Sequence, residues 1–296
     1  MKSKTLQGLL CAIASAVIYG CMPLMSKYIY AEGVTPLALV FLRNALSLIP
    51  LGILAYRENK TLQIPLGQLP AICLASLLGC CITPVLLFLA YDMKIASGTV
   101  TVFHFVYPAV VVIAEILFLR KKAKAGNLIS VALCVAGICM FYTPGSDFHL
   151  TGSLLALLSG FTFAAYVVCL SVFRERIVSG FLFCFYITLV SSIASFLICL
   201  FTGNLTFPST WSGWGLCFLF SLLITTCAVS LFQRSAYLIG GERTAILSTL
   251  EPITGVVVGA AVLGEPMGFR VLIGSVLVIA ASLLIALVDL GKKKEA

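Results

Sequence analysis

Leu6-Gln7-Gly8-Leu9-Leu10-Cys11-Ala12-Ile13-Ala14-Ser15-Ala16 and Leu150-Thr151-Gly152-Ser153-Leu154-Leu155-Ala156-Leu157-Leu158-Ser159-Gly160 decide the fold, because they are one pattern written twice, 144 residues apart. The offset lays Gly8 on Gly152, Ala12 on Ala156 and Ser15 on Ser159. Farther along it lays Pro108 on Pro252 and Leu128-Ile129 on Leu272-Ile273. Matches that run the length of both halves mark an internal repeat.

Both stretches open long apolar runs. Of the 296 residues, 61% are hydrophobic and 10% charged, whereas a soluble domain carries about 25% charge. Runs of about 20 apolar residues, enough to cross a hydrocarbon layer ~30 Å thick, recur with short polar breaks. The pattern predicts an all-α integral membrane protein with ten spans. These are Leu6 to Tyr30, Pro36 to Tyr56, Leu69 to Tyr91, Ser97 to Phe118, Asn127 to Tyr142, Leu150 to Val172, Phe181 to Leu200, Trp214 to Leu231, Ala245 to Leu263 and Arg270 to Val288. The break between the third and fourth rests on Asp92 and Lys94. No stretch is left for a separate soluble domain.

The net charge of +8 does not point to nucleic acid, because the basic residues gather at alternate loops rather than on one face. With a cytoplasmic N-terminus, the inner side holds Lys2, Lys4, Arg57, Lys60, Arg120, Lys121, Lys122, Lys124, Arg174, Arg176, Arg234, Arg243, Lys292, Lys293 and Lys294. The outer side keeps Lys27, Lys94 and Arg270. Both termini are therefore expected in the cytoplasm. The basic start before Leu6 imitates a secretory signal, but removing it would break both the charge alternation and the repeat, so an uncleaved first span is expected. The twelve cysteines lie in apolar segments without CxxC spacing and read as small buried hydrophobes.

Five spans per half is an odd number, so the second half must start on the opposite side from the first. Such inverted repeats are a recurrent transporter design, with the site near mid-bilayer between the halves. The two repeats are expected over residues 6–142 and 150–288, flanked by short basic tails, 1–5 and 289–296. Two fused repeats complete such a fold in one chain, so either a monomer or a homodimer is compatible with it.

Short motifs occur in order along both halves: Tyr19-Gly20 then Lys27; Phe41-Leu42-Arg43; Gly152 with Ala165-Tyr166; Ala236-Tyr237; Leu250-Glu251-Pro252; Gly264-Glu265; and Gly274. Together they resemble the EamA branch of the drug/metabolite transporter superfamily over essentially the full chain. One departure stands out. Arg120-Lys121 occupy the place where the first repeat of that family carries Gly-Glu. The resemblance implies a plasma-membrane transporter, bacterial in type, moving a small organic metabolite such as an amino acid, with export as the direction. It also implies a central cavity lined by the first, third, fourth, sixth and eighth spans.

An ionisable side chain at mid-membrane costs roughly 2.5–3.5 kcal/mol and needs a partner, a wet cavity or neutralisation. Glu251 lies eight residues past Arg243, about 12 Å deep in a helix, and is the first candidate for proton coupling and substrate contact. The competing reading makes it a packing residue beside the Pro252 kink. His104, one of two histidines, is the second coupling candidate; against this, a lone histidine on an apolar face is usually satisfied locally. Arg43, seven residues inside the second span, is placed to grip a carboxylate or phosphate at two points, or else to snorkel outward. Tyr19, Tyr91, Tyr107, Phe163, Tyr166 and Tyr237 offer rings for stacking on cargo, although rings are also common in packing and interfacial belts. Ser248 completes the substrate-contact set. Glu115, one turn before Arg120, reads as an interfacial ion pair. The runs at Arg120 to Lys122 and Lys292 to Lys294 read as anchors on anionic lipid headgroups.

No GxxxxGK[ST] loop is present, so the drive is expected to be an ion gradient or exchange rather than ATP. No HExxH or carboxylate cluster supports metal or acid–base catalysis. No cofactor, metal or catalytic residue is expected. The competing classes are a lipid or lipid-linked molecule flippase and a membrane-embedded enzyme.

Overall fold

The computed structural model describes residues 2–93, 95–118, 125–140, 149–173, 180–239, 244, 247–248, 250–264 and 268–292. Among these the regular structure is helical throughout, as hydrocarbon demands of any open chain whose backbone bonds must close internally. Six helices are long and apolar enough to cross a membrane: Lys4–Ala31, Pro36–Asn59, Leu66–Asp92, Leu150–Leu170, Phe181–Thr202 and Trp211–Ser235. Shorter apolar helices occupy Gly98–Ala114, Leu128–Met140, Leu250–Leu263 and Leu272–Ala281, where the fourth, fifth, ninth and tenth spans were expected. The helix ending at Asp92 and its successor starting at Ser97 give the expected break between third and fourth.

The outside of the bundle is as apolar as its core. Leu6, Leu10, Ile49, Ile53, Phe201 and Val257 are all exposed, a surface that suits lipid and not water.

Local sequence explains the breaks in the first and fourth rods. The first rod bends at Cys21, between Lys2–Gly20 and Met22–Ala31, with Pro23 at the start of its second piece. The fourth breaks at Phe105-Val106, between Ser97–His104 and Tyr107–Phe118. Pro108 there lacks the N–H that would cap the His104 carbonyl. In the third rod a π-helix, Ser76–Ile82, interrupts the α-helical path. In the eighth another, Ser221–Ala228, lies at the equivalent place, since the 144-residue offset carries 76–82 onto 220–226. The helix Phe181–Thr202 ends on Gly203, whose φ of 67° lets the chain turn left-handed.

Packing repeats the same two-fold logic. The second rod packs on the seventh and the fifth on the tenth. The first packs on the eighth as the third does on the sixth, and the first on the ninth as the sixth does on the fourth. Two hydrogen bonds cross between halves in matching positions: Ser76 donates to the Ile187 carbonyl (2.5 Å) and Ser221 to the Arg43 carbonyl (2.7 Å). Arg43 and Ile187 are 144 residues apart. The loops are tied as well. At one end Ser209 donates to the Glu32 carbonyl (3.0 Å) and Thr35 to Asn204 (2.9 Å). At the other, the Phe181 N–H donates to Glu58 (2.9 Å).

Candidate functional site

Three groups of polar and aromatic side chains meet inside the bundle. The first is built on the fourth and sixth rods. His104 is buried, and its Nδ1 lies 2.9 Å from the Ser159 hydroxyl. Ser159 in turn donates to the Ala156 carbonyl at 2.6 Å. With the serine proton committed there, Nδ1 is the donor to Ser159 and Nε2 is the remaining acceptor of a neutral ring. Around this imidazole stand Phe163 (5.4 Å between ring centres) and Tyr107 (5.8 Å). Tyr107 and Phe163 meet edge to face at 4.8 Å, and Tyr166 follows Phe163 at 5.5 Å. Glycines allow this close approach. A Cβ on Gly160 would stand 2.7 Å from the His104 carbonyl, and one on Gly79 would stand 2.6 Å from the Tyr166 ring.

The second group is a polar knot where the second, third and seventh rods meet. Pro84 cannot offer an N–H to the Cys80 carbonyl four residues back, so that oxygen takes its partners from side chains. Arg43 Nη2 reaches it at 3.3 Å, Asn44 Nδ2 at 3.4 Å and Ser191 Oγ at 2.7 Å. Asn44 also donates to Ser191 at 2.8 Å. The Arg43 guanidinium lies over the Phe88 ring at 5.8 Å, and its Nε is buried with no partner among the described residues. Arg43 points inward and does not snorkel.

The third group joins the halves. Glu251, in the helix Leu250–Leu263, is half-buried and lies within electrostatic range of Tyr19 and Tyr107. Tyr19 also lies within range of Arg43. The backbone at Glu251 packs directly on the first rod, where a Cβ on Gly20 would stand 2.8 Å from the Glu251 carbonyl. The Tyr166 ring is buried and Tyr19, Tyr107 and Glu251 are half-buried. Polar groups deep in a membrane protein that converge on one interior region are those a ligand can satisfy.

Seven of the candidates are thus brought together: Tyr19, Arg43, His104, Tyr107, Phe163, Tyr166 and Glu251. Tyr91 stands apart, its ring buried beside Phe88 and its hydroxyl 3.0 Å from Thr101, a packing position. Ser248 is buried and donates back to the Thr244 carbonyl (2.9 Å). The side chains of Tyr237 and Glu115, together with Arg120 to Lys122 and Lys293 to Lys294, lie outside the described residues, as does the side chain of Lys292. Asn44, Ser191, Ser159 and the Cys80 carbonyl are the participants that sequence reasoning missed. Pro84, four residues after Cys80, was the one available sign of a freed carbonyl. A groove of about 620 Å³ lined by Leu6, Gln7, Leu10, Cys11, Ala14 and Leu231 opens on the apolar exterior, away from these groups. Among the described residues no three His, Cys, Asp or Glu side chains gather as metal ligands.

The chain is similar to known proteins along its whole length. The EamA-like transporter family matches residues 6–143 and again residues 150–287. A protein of Salmonella typhimurium (strain LT2) described as the uncharacterized inner membrane transporter YicL is 24% identical over 295 residues, covering 96% of each chain. A protein of known crystal structure shares the fold with a TM-score of 0.66, at 16% identity and with 100% of both chains covered.

Proposed function

Because the chain belongs to the EamA-like transporter family, we propose that it is a secondary active transporter that carries a small organic metabolite, an amino acid or related compound, by alternating access. It is a multi-pass plasma-membrane protein and a transporter, not an enzyme. The observation that carries the finer reading is the convergence of Tyr19, Tyr107, Tyr166 and Glu251, from opposite halves of the chain, on one interior region.

Ten spans in two inverted repeats, 6–142 and 150–288, with both termini cytoplasmic, fit the mirrored packing pairs, the paired π-helices and the alternation of basic loops. The halves would rock about the region between them. In this scheme the rings of His104, Tyr107, Phe163 and Tyr166 take the apolar part of the cargo. Glu251 exchanges a proton with one side of the membrane in each cycle, and His104 contributes through Nε2. By family resemblance the direction of net transport is export.

Counterflow tests this. Proteoliposomes preloaded with an unlabelled substrate should accumulate the labelled compound transiently above equilibrium, as a carrier with one alternately exposed site must. Passive equilibration alone would exclude alternating access.

A further inference from the structure

We infer that Arg43 is an anion-reading latch: it holds the third-rod π-helix through the Cys80 carbonyl when the site is empty, and transfers to a carboxylate of the cargo when the site fills. The inference rests on the transporter reading and names the charge class of its substrate.

Three observations carry it. First, Arg43 is 7% exposed, yet among the described residues one of its five N–H donors meets a protein acceptor, a neutral carbonyl at 3.3 Å. The Nε–H is buried without a partner among the described residues. A buried guanidinium with so little compensation is a costly arrangement unless an anion completes it, and a carboxylate is the partner its fork fits at two points. Second, Arg43 adjoins the candidate site: the Cys80 carbonyl it bonds is one residue on from Gly79, which packs on the Tyr166 ring, and Tyr19 lies within its electrostatic range. Third, the Cys80 carbonyl does not depend on Arg43, because Ser191 at 2.7 Å and Asn44 at 3.4 Å hold it as well. The guanidinium can leave without orphaning a buried acceptor.

The eighth rod adds donors of the right kind. Ser221 bonds the Arg43 carbonyl, and one turn on, Thr225 and Thr226 carry buried hydroxyls without partners among the described residues. The positive charge suits an anion and opposes a cation, and the hydroxyls can donate to an anion's oxygens. The π-helix supplies the mechanical half of the device. Its hydrogen-bond ladder is already displaced from the α-helical register, so losing one of three ties to Cys80 loosens a segment built to move.

The test uses the full chain in lipid nanodiscs with three probes of one shape: L-phenylalanine, 3-phenylpropionate and phenethylamine, chosen because an aromatic group can stack on the rings around His104. Binding is read from the fluorescence of Trp211 and Trp214, the chain's two tryptophans, both just ahead of the eighth-rod π-helix. Amide hydrogen exchange is followed over residues 76–83. The two carboxylates should bind about ten- to hundredfold more tightly than the amine, the range a charge-assisted hydrogen bond supplies, and should speed exchange in 76–83. Arg43→Gln should remove both effects, and Arg43→Lys should restore part of the preference. Equal affinity of the wild type for all three probes overturns the inference without any variant. So does a carboxylate preference that persists in Arg43→Gln, or exchange that stays constant on binding. If the same protein in sealed proteoliposomes transports the carboxylates and the amine equally well, the transporter reading stands and the latch alone is refuted.

Discussion

Gly79 and Gly215 are both helical glycines, and the same substitution should push them in opposite directions. At Gly79, in the third-rod π-helix, an added Cβ would lie 2.6 Å from Cγ and Cδ2 of Tyr166 and 2.8 Å from Cε2. To restore ordinary contact the ring must retreat by about 0.8 Å, and it is buried with the tilted Phe163 ring packed against it. Gly79→Ala should therefore cost about 1–3 kcal/mol, as overpacking of a filled interior does. Because the ring that moves belongs to the candidate site, substrate binding should weaken along with stability. At Gly215 nothing lies within 4 Å of the added atom, so Gly215→Ala should gain about 0.5–1 kcal/mol from the lost backbone freedom of glycine. Folded fraction across a dodecyl maltoside to SDS titration measures both. Truncating Tyr166 should relieve the Gly79→Ala penalty, with a coupling of about 0.5–3 kcal/mol between the two sites. Equal stability of the two alanine variants, or additivity of Gly79→Ala with Tyr166→Ala, would refute the packing argument.

Other substitutions probe separate parts of the account. Glu251→Gln should abolish pH-driven transport while membrane insertion, followed by expression and gel-filtration profile, is retained; transport that stays equally pH-sensitive rules out the coupling role. Ser159→Ala removes the acceptor of His104 Nδ1 and should cost about 0.5–1.5 kcal/mol in the same detergent titration, with a changed substrate affinity as His104 reorients. Thr35→Ala deletes the N-cap of Pro36–Asn59 together with the side-chain hydrogen bonds that Thr35 donates to the Asn204 carbonyl and accepts from the Thr206 hydroxyl. It should lower stability by about 1 kcal/mol and raise proteolysis of the loops at that end.

The large-scale organisation was legible because hydrocarbon imposes it: apolar runs, charged breaks and a repeat at one offset are all written in residue types. The break after Asp92 shows this, since the charged residues Asp92 and Lys94 at the end of an apolar run marked where the helix ends. The site was legible in part. Glu251, Arg43 and His104 stood out because ionisable groups are costly in a membrane, and the structure sets all three inside the bundle. Their partners were not legible. Ser159 and Ser191 are ordinary serines until the sixth rod meets the fourth and the seventh meets the second. The π-helix at Ser221–Ala228 has no proline or other mark in its sequence. Tyr91 was assigned to the cavity by the rod it belongs to, but which face of that rod looks inward depends on the Phe88 and Thr101 contacts that fix its ring.

Sealed proteoliposomes offered a pooled, labelled metabolite mixture, with and without an imposed pH gradient, test the central claim most directly. The account predicts gradient-dependent accumulation of at least one compound above empty vesicles, with the wild type losing that dependence on Glu251→Gln. Absence of accumulation under either condition, with the protein folded and inserted, would contradict proton-coupled carriage of a small metabolite.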